Sequence, residues 1–102
     1  MYKLYLDDIR IPRTEGWTIV RSYNDFVSHI TEYGAPSLIS FDHDLGLEEN
    51  GIERNGYDCA KWVCEYCREN GVPLPDWNIH SANSVGYDNI NFVFNNYKRK
   101  FE

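Results

Sequence analysis

The sequence lacks both a long apolar run and an excess of basic residues. Its 102 residues include 10 lysines and arginines against 16 aspartates and glutamates, giving a net charge of -6. Broad binding along a nucleic-acid backbone needs a basic face, and a membrane-spanning helix needs about 20 consecutive apolar residues. We therefore expect no membrane partner and no broad binding to duplex nucleic acid. The dense basic run Lys98, Arg99 and Lys100 ends a predicted helix, where cations suit the helix dipole.

Cysteines are too few for a disulfide framework or a closed zinc site. The chain has three, Cys59, Cys64 and Cys67, an odd number with no recognisable secretory signal before them. A structural zinc ion needs four ligands, whereas Cys64 and Cys67 form one CxxC pair without a second. We expect thiols in or near the core of a helix and a cytoplasmic location.

Apolar residues are plentiful by contrast. The sequence is 42% hydrophobic and 16% aromatic, which is enough to bury one modest core without covalent cross-links. Nothing in it resembles a low-complexity or disordered tract. We therefore predict a single domain over residues 1–102.

Apolar periodicity predicts four short strands and three helices. The strands are residues 2–6, 18–21, 37–41 and 77–80. The first helix follows the N-cap Ser22 and ends at Gly34, and the second follows Asn55 and ends at Gly71. The last helix runs from about residue 85 to residue 98. A long polar loop is expected before Asn55.

This order of elements predicts an α/β fold, with a small open parallel sheet of about four strands flanked by three helices. We expect the strand order 2-1-3-4. The connection between the first two strands contains Pro12 and Gly16 and lacks a helix, which is unusual for parallel strands.

Polar residues follow three of the predicted strands at the point where each strand ends. The carboxyl ends of parallel strands share one edge of a sheet, where ligands bind at the switch point of strand order. Residues about 75 positions apart are therefore expected to meet in one crevice. They are Asp7 and Asp8 after the first strand, Asp42, His43 and Asp44 after the third, and His80, Ser81 and Asn83 at the end of the fourth.

Four carboxylates at that edge favour a divalent metal. Asp7, Asp8, Asp42 and Asp44 would repel one another unless a cation lay among them or one kept a proton. Oxygen ligands favour Mg²⁺ or Ca²⁺, and a nearby histidine makes Mn²⁺ plausible. Acidic residues also cap turns, which would account for one or two of the four. Asp42 or Asp44 is alternatively a nucleophile that attacks phosphorus.

The remaining polar residues each have a catalytic and a structural interpretation. His43 and His80 are candidate metal ligands or acid–base catalysts, or else buried histidines that orient loops. Ser81 and Asn83 precede a helix, which they would cap, or whose free N–H groups would attract a phosphate. Arg10 would contact an anion in the crevice or pair with an acid.

The strings LYLDDIR, SFDHDLG, NGYD and IHSAN, in this order, resemble the receiver-like family described as cyclic-phosphate processing receiver domains. The resemblance covers nearly the whole chain. It implies a receiver-like (flavodoxin-like) three-layer fold, shortened relative to response-regulator receivers. It also implies metal-dependent processing of cyclic nucleotides or of cyclic phosphate ends of RNA, so that the partner would be a small phosphate-containing ligand and the cofactor Mg²⁺ or Mn²⁺.

The same resemblance assigns roles to individual residues. Asp7 and Asp8 resemble the acid pair that holds Mg²⁺ in receivers, and Asp42 falls where receivers keep the aspartate that accepts phosphate. Ser81 falls near their hydroxyl residue. His80 and Asn83 belong to the family's HSxN string, and His43 and Asp44 belong to its DHD string.

One departure keeps several functions open. Ordinary receivers end a fifth strand with a lysine that contacts the phosphoryl group, and this chain has no such strand or lysine. His43, His80 or Arg10 would have to stabilise the charge instead. The leading expectation is a metal-dependent phosphoesterase. The alternatives are a module that accepts a phosphoryl group or only binds a ligand, and a purely structural interaction domain; the oligomeric state stays open.

Overall fold

A computed structural model describes residues 2–46, 48–49 and 52–101, and it confirms the predicted α/β class. The strands are β1 (Lys3–Leu6), β2 (Trp17–Val20), β3 (Leu38–Phe41), β4 (Glu48–Glu49), β5 (Ile52–Glu53) and β6 (Asp76–Ile79). The helices are α1 (Tyr23–Tyr33), α2 (Gly56–Asn70) and α3 (Ser84–Phe101). The predicted elements are all present, with ends that shift by one to three residues.

The main sheet has four parallel strands in the order β2-β1-β3-β6, which confirms the predicted order. The strands end level with one another, because Leu6 pairs with Phe41 and Phe41 pairs with Ile79. Backbone hydrogen bonds continue one residue further, from Asp7 N to Val20 O (3.2 Å), Asp42 N to Leu6 O (3.0 Å) and His80 N to Phe41 O (2.9 Å). The residues just after the strands therefore share one edge.

The helices do not form the expected third layer. Phe41 of β3 contacts Phe26 of α1 and Phe94 of α3, and Phe26 also contacts Trp62 of α2, so all three helices lie on one face of the sheet. The reason is the handedness of the crossovers. The steps from β2 to β3 and from β3 to β6 run in the same direction across the sheet, and right-handed crossovers then place α1 and α2 on the same side. The three-layer expectation is wrong in this respect.

The core lies between this helical layer and the sheet. Its buried residues alternate along the strands, as Leu4 and Leu6 in β1 and Ile39 and Phe41 in β3. The three cysteines, Cys59, Cys64 and Cys67, lie on the buried face of α2 without a disulfide, as predicted. In the part of the chain that the structure describes, no helix combines the length and apolarity needed to cross a membrane.

The predicted polar loop before α2 contains a short antiparallel pair, β4 and β5, in which Glu49 pairs with Ile52. No alternating pattern predicts these strands, because each has only two residues. Helix α2 then begins at the predicted cap. Asn55 accepts a hydrogen bond from Asp58 N (3.1 Å), and the Asp58 carboxylate accepts one from Asn55 N (2.9 Å), a complete capping box.

The start of α2 is pressed against the residues after β3. Gly56 N donates a hydrogen bond to His43 O (2.8 Å), and a Cβ added at Gly56 would lie 2.1 Å from the backbone oxygen of Asp42. Glycine is required at this position by close approach of two backbones rather than by an unusual φ. The contact fixes α2 to the segment that carries Asp42 and His43.

We expect Gly56→Ala to lower the free energy of unfolding by about 1–3 kcal/mol, because the added methyl group forces two backbone segments apart. Helix propensity alone predicts the opposite sign. Urea unfolding followed by circular dichroism measures the change. Ser28→Ala, at an exposed position of α1, is the control and should change stability by less than about 0.5 kcal/mol. A Gly56→Ala protein as stable as the wild type would contradict the contact.

Candidate functional site

Three of the four candidate carboxylates converge at the edge of the sheet. Asp7, Asp8 and Asp42 each offer an oxygen within 4.8 Å of the others'. Asp7 and Asp42 are buried, and Asp8 is half-buried with its Oδ2 close to Gly46, where an added Cβ would lie 2.9 Å away. Gly46 also has a φ of +68°, so the loop after Asp42 needs glycine for two reasons. The strand ends thus bring together acids 35 residues apart in sequence.

Asp7 has a full set of hydrogen-bond donors. The backbone N–H groups of Ile9 and Arg10 donate to its Oδ1, both at 2.9 Å. Arg10 Nε, at 2.9 Å, and His80 Nε2, at 3.0 Å, both contact its Oδ2. Burial raises the pKa of Asp7, but these hydrogen bonds and the charge of Arg10 outweigh burial, and the pKa is lowered overall. Asp7 is therefore ionised, and a metal ligand role would require one donor to move away.

Asp42 has the opposite electrostatic balance. Burial and the neighbouring charge of Asp7 raise its pKa, while the positive charge of Arg10 and the contribution of His80 only partly oppose them. The nearest guanidinium nitrogen, Arg10 Nη2, is 3.5 Å from Asp42 Oδ1. Two adjacent buried acids whose pKa values are displaced in opposite directions suit a site that holds either a proton or a cation.

Arg10 is the cation at the centre of this arrangement. Its side chain is 53% exposed and contacts Asp7 and Asp42, and its Nη1 lies 3.5 Å from the backbone oxygen of His80. The backbone around Arg10 is held by Arg21, whose Nη1 donates to Asp7 O (3.1 Å) and Arg10 O. Pairing with acids was one of the two interpretations of Arg10 from sequence. Its exposed guanidinium remains within reach of an anion in the crevice.

His80 lies in a directed chain of hydrogen bonds. Asn78 Nδ2 donates to Ser40 Oγ (3.2 Å), Ser40 Oγ lies 2.7 Å from His80 Nδ1, and His80 Nε2 lies 3.0 Å from Asp7. The His80 ring also stacks on Tyr5, with centroids 4.5 Å apart and planes 3° apart. Both ring nitrogens are therefore engaged, and the ring is held in one orientation. This geometry suits a residue that positions Asp7.

His43 lies beside the start of α3 with its side chain 13% exposed, and its partners Asp44 and Asn83 line the crevice. Its Nδ1 is 2.9 Å from Asp44 Oδ1 and 3.5 Å from Asn83 Nδ2, and the shorter contact is the stronger one. An added Cβ at Gly86 would lie 2.2 Å from His43 Cγ, so the ring packs against the helix backbone. The hydrogen bond from His43 lowers the pKa of Asp44. The Asp44 side chain is 67% exposed and lies outside the group formed by Asp7, Asp8 and Asp42.

Ser81 and Asn83 make the local hydrogen bonds of a helix start. Asn83 Oδ1 accepts a hydrogen bond from Gly86 N (3.0 Å) and caps α3, while Ser81 Oγ accepts one from Asn83 N (3.1 Å). Asn83 Nδ2 also reaches Asp44, at 3.3 Å. Both residues nevertheless line a crevice of about 360 Å³ with the acids and Arg10. Capping and contact with a ligand are thus compatible at this position.

Sequence reasoning missed several residues that support the site. Ser40 is the polar residue inside an apolar strand, and Tyr5 alternates with Leu4 and Leu6 on the opposite face; both signals were visible in the strand patterns. Gly86 stands in the first turn of a helix, where glycine is unfavourable and needs a reason. Arg21 gave no signal, because its contacts depend on the path of residues 7–10.

The carboxylates fit a divalent cation by their chemistry. Each of the three offers an oxygen within 4.8 Å of the others', and burial and the charge of Asp7 raise the pKa of Asp42. An ion would lie among Asp7, Asp8 and Asp42, in competition with the guanidinium of Arg10 for the same oxygens.

Comparison with known proteins identifies one family. The family model described as the cyclic-phosphate processing receiver domain matches residues 2–96, which include every candidate residue of the site. No curated protein and no solved structure matches the chain.

Asp42→Asn should stabilise the metal-free protein at neutral pH. The pKa of Asp42 is raised in the folded state, so the wild type loses stability as pH rises from below about 3.8 through that raised value. Asparagine has no such loss, so the advantage of the variant grows across this window and then stays constant. It amounts to about 1.4 kcal/mol for each unit by which the pKa is raised.

Urea unfolding in EDTA between pH 3 and pH 8 measures this difference. The control is Asp88→Asn, which removes an exposed acid of α3 and should change stability little. An Asp42→Asn protein that is less stable than the wild type at pH 7 in EDTA would contradict the unfavourable charge of Asp42.

Proposed function

Because the chain belongs to the family of cyclic-phosphate processing receiver domains, we propose that it is a metal-dependent phosphoesterase that hydrolyses a cyclic phosphate at the crevice beside Asp7, Asp8 and Asp42. The observation that carries the proposal is the convergence of two buried acids, one half-buried acid and one half-exposed arginine at the edge of a parallel sheet. Such an edge is the usual ligand site of open α/β sheets.

Asp7, Asp8 and Asp42 are the proposed ligands of Mg²⁺ or Mn²⁺. A divalent ion supplies Lewis-acid polarisation of a phosphoryl oxygen and orients the substrate. Asp42 supports this role because its pKa is raised by burial and by Asp7, so a cation would relieve an existing electrostatic cost. Asp44 is a less suitable ligand, since its carboxylate lies outside the group formed by Asp7, Asp8 and Asp42.

Arg10 is the proposed phosphate-binding residue. Its contact with Asp42 is long, at 3.5 Å, and its side chain is half exposed, so the guanidinium can turn toward an incoming anion. Neutralisation of Asp42 by a cation would remove one reason for Arg10 to remain there. A planar guanidinium with several N–H groups then suits the negative charge that builds up on phosphoryl oxygens.

His43 is the proposed acid–base residue. In the neutral tautomer that donates Nδ1–H to Asp44, Nε2 carries no proton and can accept one. The oxygen of a water molecule forms a bond to phosphorus, one ring P–O bond breaks, and the leaving oxygen takes up a proton. His43 would take the proton from water and return it to that oxygen. His80, with both nitrogens engaged, would instead position Asp7.

A second candidate function is phosphoryl acceptance by Asp42. The observation that favours it is the position of Asp42 directly after β3, in contact with the two acids that follow β1. In that reaction an Asp42 oxygen forms a bond to the phosphorus of a small phosphodonor such as acetyl phosphate, and the donor's P–O bond breaks. Labelling of Asp42 by acetyl phosphate without turnover of cyclic nucleotides would favour this module over the phosphoesterase.

We expect hydrolysis of adenosine 2′,3′-cyclic or 3′,5′-cyclic monophosphate with Mg²⁺ or Mn²⁺, and none in EDTA, as measured by chromatography of the products. Asp8→Asn should reduce turnover at least about tenfold, because it removes one oxygen ligand without disturbing the donors to Asp7. Asp88→Asn, at an exposed position of α3, is the matched control.

Binding of Mn²⁺ is measured in parallel by electron paramagnetic resonance. Metal bound by the wild type without turnover of either nucleotide would refute the phosphoesterase and leave the metal site. If the wild type binds no Mn²⁺ and its stability is unaffected by EDTA, the proposed metal site is refuted as well.

His43→Gln should lower kcat by about 10²–10⁴-fold while metal affinity stays close to that of the wild type, because glutamine cannot transfer the proton. Asp44→Asn should have a smaller effect in the same direction, since it weakens the hydrogen bond that fixes the imidazole. Rates are compared from pH 5.5 to pH 9. Equal loss of kcat and of Mn²⁺ affinity in His43→Gln would contradict an acid–base role.

A further inference from the structure

The sheet face that carries no helix has a concave cavity of about 390 Å³. Its floor is formed by side chains that point away from the core, and its wall is formed by the helix-free connection between β1 and β2. The volume lies within the range of small-molecule sites, about 300–1,000 Å³. The lining residues include Tyr5, Arg10, Arg13, Trp17, Asn78 and His80.

This cavity adjoins the carboxylate crevice, because Arg10 lines both. Tyr5 precedes Asp7 by two residues and Ser40 precedes Asp42 by two, so each pair lies on the same face of the sheet. The backbone hydrogen bonds between strands continue to Asp7 and Asp42, so side chains still alternate between the two faces of the sheet at these positions. Positions two residues apart in a strand are separated by about 7 Å. A molecule with its anionic end at the crevice would therefore place its other end in the cavity.

The chemistry of the lining suits a flat heteroaromatic ring. Trp17 is half-buried, and its indole orientation is fixed by a hydrogen bond from Nε1 to Thr14 Oγ1 (3.0 Å) and by edge contact with Tyr5. Lys3 Nζ lies 4.8 Å from the centre of the Trp17 ring. Aromatic planes beside cations bind bases of single-stranded nucleic acid by stacking.

Polar groups in the cavity could bind the edge of such a ring. Asn78 is exposed on β6 and carries an amide that both donates and accepts hydrogen bonds. Arg13 adds a second guanidinium to the wall formed by the connection. This concentration of cations and amide groups is a local exception in a protein with a net charge of -6. A flat apolar interface with a second copy of the chain would fit this concave, polar lining less well.

We propose that the cavity binds the base of a nucleotide whose cyclic phosphate lies at the carboxylate crevice, with Trp17 as the stacking surface. The proposal rests on the proposed function for the position of the phosphate and adds a separate binding site for the base, on the sheet face that carries no helix, so that cyclic phosphates without a base would bind more weakly. Tyr5 is held between His80 and Trp17 and keeps the two parts of the site in fixed relation.

The first experiment compares adenosine 2′,3′-cyclic monophosphate with methyl riboside 2′,3′-cyclic phosphate, which lacks a base. The wild type should have the lower KM for the nucleotide. Trp17→Ala should raise the KM for the nucleotide by about fivefold to 150-fold relative to the substrate without a base. Trp17→Phe should restore most of the difference, because a smaller aromatic plane remains. Phe92→Ala, which removes an aromatic side chain 64% exposed on α3, is the control.

The second experiment does not depend on turnover. Isothermal titration measures binding of adenosine monophosphate and of ribose 5-phosphate to the wild type and to Trp17→Ala. Selective loss of adenosine monophosphate binding without any hydrolysis would support the base site and refute the phosphoesterase. Hydrolysis with equal KM for both substrates, unaffected by Trp17→Ala, would refute the base site and keep the phosphoesterase.

Two further experiments identify the source of the nucleotide and test whether a second copy of the chain occupies the cavity instead. A trinucleotide that ends in a 2′,3′-cyclic phosphate should be processed with a KM lower than that of the mononucleotide if RNA ends are the substrate, and a higher one if free nucleotides are. Light scattering gives the mass of wild type and Trp17→Ala. A wild-type dimer that becomes a monomer in Trp17→Ala, with no change in base preference, would overturn the proposal.

Discussion

The carboxylate of Asp7 is 1% exposed, and a buried charge is tolerated only when hydrogen bonds and opposite charges replace its lost hydration. Two of its donors are the backbone N–H groups of Ile9 and Arg10, which oblige the chain to turn sharply after β1. The other two come from the Arg10 side chain and from His80, after β6. The turn, the orientation of Arg10 and the position of His80 after the fourth strand of the main sheet are therefore tied to the solvation of one side chain.

Asp42 is the counterpart that this arrangement leaves under-compensated. The four donors that contact Asp7 are engaged there, and the distance from Arg10 Nη2 to Asp42 Oδ1 is 3.5 Å. The metal-free protein thus holds one satisfied acid beside one acid with a raised pKa. On the proposed function, Arg10 and a divalent cation would compete for these oxygens, so binding of the cation would be coupled to release of the guanidinium toward an anion. Such a site would then accept a ligand that is itself negatively charged.

Much of this architecture could be predicted from sequence, because strand order and strand ends follow from apolar patterning and from the sharing of one edge by parallel strands. The convergence of Asp7, Asp8 and Asp42 follows from these two rules alone. The direction of His80 toward Asp7 could not be predicted, since it depends on Ser40 and Tyr5 holding the ring. Asp44 differs from Asp42 because the chain leaves the strand after Asp42 and turns its side chain toward Asn83. The single helical layer was predictable from the helix-free first connection and the handedness rule.

The absent second layer has a physical consequence for the site. On the sheet face without helices, β6 carries the exposed Asn78, and β3 carries Ser40, which is 3% exposed and hydrogen-bonded to Asn78 and His80. These same side chains form the chain of hydrogen bonds that ends at Asp7 through His80. A ligand that contacts Asn78 on the open face would act on the donor to Asp7 through two intermediate groups. The open face and the carboxylate crevice are therefore linked by hydrogen bonds as well as by position, which would let occupancy of one adjust the charge balance of the other.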